Sequence, residues 1–366
     1  MEPRAIDGWS SPAAVAAIAG AVAGIRIDRP VTLMHVCGTH EHAIARAGIR
    51  ALLPAGVRLI AGPGCPVCVC PARDIDLAIE ASEREGTILA TFGDMMRVPA
   101  TAGSLERARA GGADVRVVYS PSDAIDLARE DPGRTVIFMA VGFETTAAPI
   151  AAAIAADPPE NFFVIASLRL IPPALRFLLD RGTGTIDGFV LPGHASVVIG
   201  RSGYRFLETE YRVPSVIAGF EPVDILQGLH ALLTRIAAGE RGAVMNEYRR
   251  VVHENGNPKA REAIDRCFAP GESAWRGIGV IPDSGLSLRG PYVRLDAVRT
   301  LGLESRREAV DVQPGCQCHR VMLGEVEPEE CALFGGVCTP RTPFGPCMVS
   351  SEGTCRARFA YRRIEG

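Results

Sequence analysis

The sequence lacks both a surplus of charge and a long hydrophobic run. Its 366 residues carry 39 Lys and Arg against 42 Asp and Glu, a net charge of −3. Such a balance does not supply the basic footprint of a nucleic-acid-binding protein. Apolar stretches such as AAVAAIAGAVAGI are short and alanine-rich, so neither a signal peptide nor a membrane span is predicted. We expect a cytoplasmic protein without nucleic-acid or membrane partners.

A signature of disorder is also missing. The chain contains 39 glycines and 27 prolines, but 47% of its residues are hydrophobic. This composition indicates many tight turns around a well-formed core. The length is sufficient for two or three domains.

Cysteine, in contrast, is plentiful. Cytosolic thiols are kept reduced, so eleven cysteines favour metal binding or redox chemistry over disulfide stapling. Cys267 stands apart and is interpreted as an ordinary buried cysteine. The others form an early group (Cys37, Cys65, Cys68 and Cys70) and a late group, here called the tail cysteines (Cys316, Cys318, Cys331, Cys338, Cys347 and Cys355).

Short apolar runs alternate with helical patterns through the first two thirds of the chain. The runs are rich in β-branched residues, as in strands buried on both faces, and the alternation predicts an α/β fold with parallel sheets. The predicted strands are 31–36, 57–62, 87–92, 115–120, 135–141, 161–167, 186–192 and 214–219.

The eight strands divide most naturally into two similar halves of four near residue 120. The stretch 245–268 is predicted to form a helix, a loop and a second helix. The final unit is dense in Gly, Pro and Cys, which favours a metal staple. The predicted divisions are an N-terminal helical segment (1–27), two α/β domains (28–119 and 120–240), a helical and loop connecting region (241–290) and a C-terminal unit (291–366).

Polar or thiol motifs follow five of the predicted strands. Functional groups gather at the carboxyl ends of parallel strands, so these motifs are expected along one edge. They are CGTHEH (37–42), GPGCPVC (62–68), FGDMMRVP (92–99), GFETT (142–146) and PGHASVVIG (192–200).

In the first motif, Cys37 lies at a strand end before a helix, where the helix N-terminus favours a thiolate. His40 and Glu41 add acid–base or ligand capacity. The alternative is that Thr39 caps the helix and Cys37 is buried and inert.

The second motif contains a C-x-x-C pair, Cys65 and Cys68. Such a pair can exchange between dithiol and disulfide, or supply two ligands to a metal. A turn whose cysteines have no role is the third possibility, since the flanking glycines and prolines shape a rigid backbone.

The other three motifs are weaker signals. Asp94 and Arg97 either orient a ligand or pair with each other. Thr145 or Thr146 is expected to cap a helix that has Glu144 in its first turn. His194 is interpreted as a core or capping histidine when taken alone, and as a site residue when taken with the other motifs.

The spacing of the tail cysteines does not show the two paired motifs of a typical zinc site. Widely spaced cysteines among glycines and prolines fit a [4Fe–4S] cluster better, and a cluster leaves two of six thiols over. A zinc site with spare thiols stays open as an alternative.

Together these motifs resemble the hydrogenase maturation proteins of the HypD family. The match covers nearly the whole chain and includes HVCGTHEHAI, GPGCPVC, GFETTAAPI, WRGIG and CTPRTPFGPCMVSSEGTC. The resemblance implies a scaffold and redox protein on which the Fe(CN)2CO group of [NiFe] hydrogenases is assembled. It implies a HypC-type chaperone and a HypE-type cyanide donor as partners. The implied fold is two similar Rossmann-like α/β domains facing a cleft, plus a small Fe–S cluster domain.

The resemblance also implies roles for individual residues. Cys37 would be the thiolate ligand of the iron, with His40 and Glu41 in the same motif, and Cys65 and Cys68 would be a redox-active pair. The C-terminal unit is similar to ferredoxin–thioredoxin reductase, in which a cluster lies beside a disulfide. This similarity assigns a [4Fe–4S] cluster to Cys316, Cys331, Cys338 and Cys355 and a redox pair to Cys318 and Cys347.

Two positions depart from the family pattern: Cys70 is an extra thiol, and Leu168 stands where a histidine is expected. The working hypothesis is an electron route from the cluster through both cysteine pairs to the iron. A cluster-fed thiol–disulfide oxidoreductase is the alternative function. A zinc-stabilised binding protein is the third.

Overall fold

The structure, a computed structural model, describes residues 11–182, 186–305 and 307–362. The first ten residues of the predicted N-terminal segment and the last four of the C-terminal unit lie outside this part. Within it, all eight predicted strands are confirmed. The strands are β1 (Val31–His35), β2 (Val57–Ala61), β3 (Thr87–Thr91), β4 (Val115–Val117), β5 (Thr135–Gly142), β6 (Phe162–Leu168), β7 (Gly188–Pro192), β8 (Ser215–Ala218), β9 (Val244–Asn246), β10 (Phe268–Trp275) and β11 (Gly279–Leu288).

Helices connect these strands, and several begin with proline in the first turn, where its missing N–H costs nothing. Ser120 and Asp123 form a capping box at the start of α6. The helices are α1 (Pro12–Ala23), α2 (Gly38–Ala47), α3 (Pro66–Val69), α4 (Ala72–Ser82), α5 (Leu105–Ala110), α6 (Pro121–Glu130), α7 (Glu144–Ala155), α8 (Ile171–Arg181), α9 (Gly193–Ile199), α10 (Arg205–Thr209), α11 (Pro222–Ala237), α12 (Pro258–Cys267), α13 (Ala297–Thr300), α14 (Cys318–Met322) and α15 (Thr354–Tyr361).

Two parallel sheets organise the molecule. The first has the strand order β2-β1-β7-β8-β9 and the second has the order β4-β3-β5-β6. All neighbouring strands within them are parallel. Every residue of β3 and β7 is buried, as expected for strands covered by helices on both faces. The predicted Rossmann-like α/β class is therefore confirmed.

The strands do not divide between the sheets at residue 120 as expected. β1 and β2 pair with β7, β8 and β9, whereas β3 to β6 form the second sheet. The chain thus begins the first sheet, builds the second, and then returns. The physical reason for the error is that a buried hydrophobic run identifies a strand but carries no information about its neighbour.

The connecting region also differs from expectation. The predicted first helix of 245–268 does not form, and only α12 does. Asn246 Nδ2 donates to the carbonyl oxygen of Val252, and its Oδ1 accepts from the Tyr248 amide, bonds that stabilise a turn over a helix. The antiparallel hairpin of β10 and β11 was not predicted, because Pro270, Gly271 and an irregular register obscure the strand signal.

The segment 311–362, here called the tail, contains α14, α15 and several turns. Its residues share the largest hydrophobic core with both sheets, as Met34 of β1, Ile137 of β5 and Met348 illustrate. Helix α15 packs against α2. The tail is therefore joined to the sheets through a common core.

Candidate functional site

Cys37 lies where the first sheet meets the loop that carries the C-x-x-C pair. It is the N-cap residue of α2, has an extended backbone and is partly exposed. The amide of Gly38 donates to the carbonyl oxygen of Gly64 at 2.9 Å. A Cβ atom on Gly64 would lie 2.2 Å from the Cys37 nitrogen, so only glycine permits this approach of the two backbones.

The surroundings of Cys37 oppose the thiolate that the helix N-terminus favours. Burial raises the pKa of Cys37 to about 11, and the nearby carboxylate of Glu352 adds to the increase. The amides of His40 and Thr39 lower it by less. Burial thus outweighs the effect of the helix N-terminus on the pKa of this thiol.

Glu41 faces the interior and joins three elements. Its Oε2 lies 2.6 Å from Nε2 of His35 at the end of β1 and 2.6 Å from an Arg50 nitrogen. Burial alone would raise the pKa of Glu41, but Arg50 and His35 hold it well below its usual range. Glu41 is fully buried, and its two ion pairs position α2 and Cys37.

His40 is buried beside a small aromatic cluster. Its Nε2 lies 2.8 Å from the carbonyl oxygen of Gly219, so Nε2 carries the proton and Nδ1 keeps its lone pair. The Nδ1 atom is buried and has no hydrogen-bond partner. Burial lowers the pKa of His40 to about 3. The ring of Phe220 lies 4.7 Å from His40 and stacks on His194 at 3.9 Å.

Cys65 and Cys68 form a disulfide at the two ends of one helical turn. Cys65 is the N-cap residue of α3, and its Sγ accepts a hydrogen bond from the Cys68 amide at 3.2 Å. Both residues are buried. The arrangement favours the redox interpretation of this motif over the metal interpretation, because the sulfur atoms are bonded to each other.

Cys70 does not join the disulfide, and its thiol hydrogen bonds to a different group of residues. Its Sγ lies 3.3 Å from Ser167 Oγ, which donates to Asp74 at 2.7 Å. Arg169 also contacts Asp74, at 3.3 Å. Burial and the charge of Asp74 raise the pKa of Cys70 to about 12. The extra thiol is therefore a protonated member of a buried polar network.

The six tail cysteines surround one small cavity. Its walls are otherwise apolar and include Val321, Leu333, Phe334 and Met348. All six thiols except that of Cys331 are buried. Hydrogen bonds from Cys316 and Cys347 hold the pKa of Cys318 well below its usual range. The same hydrogen bonds raise the pKa values of Cys316 and Cys347.

Six thiols around one apolar cavity fit an iron–sulfur cluster in number and in chemistry, since a cluster requires four thiolates. Among the described residues, no three His, Cys, Asp or Glu side chains are arranged to hold a metal ion. The donor set supports a cluster through its composition and not through its arrangement, and the division into four ligands and two free thiols stays a prediction.

The tail covers the Cys37 region directly. Thr39 Oγ1 donates to Glu352 at 2.9 Å, and a Cβ atom on Gly38 would lie 2.3 Å from Glu352 Cβ. The turn Pro346–Met348, which contains Cys347, contacts α3. The fold thus brings Cys37, the Cys65–Cys68 pair and the tail cysteines into one contiguous region.

Asp94 and Arg97 also bind the tail and do not pair with each other. Asp94 accepts a hydrogen bond from Ser350 at 2.7 Å, and Arg97 donates to the carbonyl oxygen of Pro340 at 2.8 Å. The expected threonine cap of α7 is wrong, because Phe143 is the N-cap residue and makes no side-chain cap.

Sequence reasoning missed Arg276, within the WRGIG string. This side chain is 1% exposed. Its Nε donates to the Asp311 carbonyl oxygen at 2.7 Å, and its backbone amide donates to Val69 in α3 at 2.9 Å. The hydrogen bonds from Cys316 and Cys347 lower the pKa of Cys318 most, and the charge of Arg276 lowers it further. A single arginine in a glycine-rich stretch offers no signal for such a position.

Comparisons with known proteins agree on one family. The HypD family model, described as "Hydrogenase formation hypA family", matches residues 13–362. The hydrogenase maturation factor HypD of Escherichia coli K12 is 46% identical over 344 residues, covering 92% of this chain and 91% of that protein. The protein of the same name from Azotobacter vinelandii is 46% identical over 345 residues, covering 92% and 90%.

A more distant relative comes from an archaeon. A putative hydrogenase expression/formation protein of Methanocaldococcus jannaschii is 41% identical over 342 residues, covering 93% of this chain and 94% of that protein. In the part of the chain that the structure describes, no helix has the length and apolar character needed to cross a membrane. With a family model and relatives that match over nearly its whole length, this chain belongs to the HypD family.

Proposed function

We propose that this protein acts in hydrogenase maturation, as the scaffold and redox protein on which the Fe(CN)2CO group of [NiFe] hydrogenases is assembled. Family membership supports the general role. The observation that carries the finer proposal is the packing of Cys37, the Cys65–Cys68 disulfide and the turn of Cys347 in one region.

Cys37 is the proposed ligand of the iron, which is the cargo of the reaction. Iron that carries CO and cyanide is electron-rich and low-spin, and a thiolate suits it. Cys37 is partly exposed, whereas Cys65 and Cys68 are buried. Binding of the cation releases the thiol proton. The buried lone pair of His40 Nδ1 gives the same region an acceptor for a hydrogen bond.

The tail cysteines are the proposed site of a [4Fe–4S] cluster, with Cys316, Cys331, Cys338 and Cys355 as ligands. A bound cluster supplies electrons one at a time. Cys318 and Cys347, whose thiols hydrogen bond to each other, form the proposed free pair.

The proposed transfer between the two pairs is a thiol–disulfide exchange. One thiolate of the Cys318 and Cys347 dithiol attacks the Cys65–Cys68 disulfide, and the second thiolate resolves the mixed disulfide. One S–S bond breaks and one forms. Two electrons and two protons pass to Cys65 and Cys68, which become a dithiol beside Cys37.

A small HypC-type chaperone and a HypE-type cyanide donor are the proposed partners, and the cytoplasm is the proposed location. These proposals follow from family membership and from the need of the Fe(CN)2CO group for a cyanide source.

The test is anaerobic co-purification with the small chaperone, followed by infrared spectroscopy. Wild-type protein should show bands of iron-bound CO and cyanide, and Cys37→Ala should lack them because the iron loses its ligand. Cys267→Ala is the matched control, since Cys267 is buried in a separate core, and it should keep the bands. Bands that persist in Cys37→Ala would remove Cys37 as the ligand.

The Cys65–Cys68 disulfide also favours a second candidate function, a stand-alone thiol–disulfide oxidoreductase. The same spectra separate the two candidates. An oxidoreductase would exchange disulfides with a substrate and carry no CO or cyanide bands, with or without the chaperone.

A further inference from the structure

Arg276 is a buried cation without a counter-ion. It is 1% exposed and lies in the turn between β10 and β11. Its Nε donates to the carbonyl oxygen of Asp311 at 2.7 Å, and its Nη2 donates to that of Pro99 at 2.5 Å. The carboxylate of Asp311 accepts instead from the backbone amides of Ala72 and Gly277. In the described part of the chain, no Asp or Glu forms an ion pair with Arg276.

An unpaired guanidinium in the interior is unusual. Burying a charge costs free energy that an opposite charge normally offsets. The Nη1 atom adds to this cost, because it is buried and has no hydrogen-bond partner. Departures from the rules of protein stability are expected at functional sites. The unbalanced charge of Arg276 therefore suits a place where a negative charge forms during a reaction.

The loop of the Cys65–Cys68 disulfide is such a place, and Arg276 lies against it. The backbone amide of Arg276 donates to the carbonyl oxygen of Val69, the residue after Cys68, at 2.9 Å. Burial affects the pKa of Cys70 most and raises it, whereas the charge of Arg276 is among those that lower it. Arg276 thus acts electrostatically on a thiol two residues from Cys68.

The elements that pack closely against α3 bring no competing charge. They are β5 and the turn Pro346–Met348, and neither contains a charged residue. Asp74 and Arg169, which belong to the polar network of Cys70, pair with each other at 3.3 Å. Arg276 is therefore a positive charge beside α3 that no carboxylate among the described residues balances.

We propose that Arg276 is a positioning residue for the opening of the Cys65–Cys68 disulfide, and that its charge stabilises the cysteine thiolate that leaves. A thiolate of the reductant attacks one sulfur, the S–S bond breaks, and the other sulfur leaves as a thiolate that then takes up a proton. The second thiol of the reductant displaces the first, so two electrons pass in total. A nearby cation favours such a thiolate. The inference rests on the proposed function for its natural reductant, the dithiol of Cys318 and Cys347.

Reduction of the disulfide by dithiothreitol tests the proposal on the full-length protein without oxygen. Timed alkylation and mass spectrometry of the peptides that contain Cys65 and Cys68 give the rate. Arg276→Gln lacks the charge and should slow reduction by about tenfold or more, as the loss of a charged partner from a buried anion implies. Arg276→Lys keeps the charge and should restore most of the rate. An unchanged or faster rate in Arg276→Gln, or equal slowing in both variants, would overturn the proposal.

A purely structural role for Arg276 predicts the opposite sign. Cys65 and Cys68 are buried, so a loosened hairpin would expose the disulfide and speed its reduction. Ser284→Ala is the matched control, because it removes the buried hydrogen bond from Trp275 Nε1 in the same hairpin and changes no charge. It should be reduced as fast as wild type or faster. Slowing of Ser284→Ala to the same degree as Arg276→Gln would show that packing sets the rate and would overturn the proposal.

The wild-type protein offers a test that needs no variant. After reduction, the pH dependence of alkylation gives the pKa values of the Cys65 and Cys68 thiols. Because burial raises the pKa of a thiol, a value below the ordinary one of about 8.5 requires a nearby stabilising charge. We expect such a value for one of the two thiols, and values above the ordinary one for both would overturn the proposal. Dithiothreitol replaces the tail thiols here, so each outcome is independent of whether the protein assembles the Fe(CN)2CO group.

Discussion

The two cysteine-rich regions of this protein are built in opposite ways. Cys37, Cys65 and Cys68 are positioned by the ends of β1 and β2, two paired parallel strands, and by the buried Glu41 network. The tail cysteines are positioned by turns and short helices, and their thiols hydrogen bond largely to one another. The first region is held by paired strands, whereas the second is held by its packing on the sheets and, in the proposed function, by the cluster that its thiols bind.

In the proposed function, the difference suits two tasks. A site that receives iron as cargo would need to keep its shape when empty, and the sheet supplies that support. A resident cluster can itself supply the crosslinks that a loop-rich segment lacks. Four perturbations would break or sharpen this contrast.

The largest expected effect comes from Glu41→Gln, in the sheet-supported region. The change removes a buried carboxylate from Arg50 and His35, and breaking a buried ion pair costs about 3–5 kcal/mol. Urea unfolding measures the loss. Because the pKa of Glu41 is held low in the folded state, the difference from wild type should be full at neutral pH and shrink as the pH falls through the ordinary carboxyl range.

Asp114→Asn is the control for that prediction. Asp114 pairs with Arg116 and Arg134 at a half-exposed position, where an ion pair contributes roughly 1 kcal/mol or less. A loss of similar size in both variants would show that the Glu41 network does not hold the region.

Removal of iron with a chelator should affect the tail alone. Without the proposed cluster, the turns of 311–362 would lose their crosslinks, and their amide hydrogen exchange should accelerate by about a hundredfold, equivalent to roughly 3 kcal/mol of local stability. Exchange in β1, β5 and β7 should stay unchanged. Equal acceleration in the sheets would contradict the contrast between the regions.

Gly64→Ala should have an intermediate effect. The new Cβ would lie 2.1 Å from the Val36 carbonyl carbon, a backbone atom that cannot rotate away. Overpacking of this kind costs about 1–3 kcal/mol, and it should also increase alkylation of Cys37 by moving the loop. Gly271→Ala, where a Cβ meets nothing within 4 Å, should stay close to wild type in both measurements.

Thr39→Val should have the smallest effect. It removes the hydrogen bond from Thr39 Oγ1 to Glu352 that ties α2 to the tail, which is worth about 1 kcal/mol. Thermal unfolding should show a small shift for Thr39→Val and less for Thr209→Val, whose hydroxyl bonds only within its own helix. A larger shift for Thr209→Val would show that this link does not matter.

The sequence predicted the elements of the fold better than their arrangement. The β-branched runs identified eight of the eleven strands in the part of the chain that the structure describes. The motif positions placed Cys37 and Cys65 at neighbouring strand ends. The pairing of β1 with β7 could not be predicted, because it depends on contacts between residues 150 apart or more. A hydrophobic pattern reports only on residues close together in the sequence, so it does not indicate which strands pair.

The environment of individual site residues was the least predictable. The local signal at Cys37 favours a thiolate, whereas burial, and to a lesser degree the distant Glu352, raises the pKa of that thiol. Arg276 and the buried pairing of Glu41 depend likewise on tertiary packing. Motifs thus predict which residues meet at a strand end, and the packing decides their protonation.

The central claim is that the tail thiols reduce the Cys65–Cys68 disulfide. The most direct test is the double variant Cys318→Ser and Cys347→Ser, purified anaerobically, with the oxidation state of Cys65 and Cys68 read by alkylation and mass spectrometry. The account predicts retained cluster absorbance, a Cys65–Cys68 pair trapped as the disulfide, and loss of hydrogenase maturation. A reduced pair and normal maturation in this variant would contradict it.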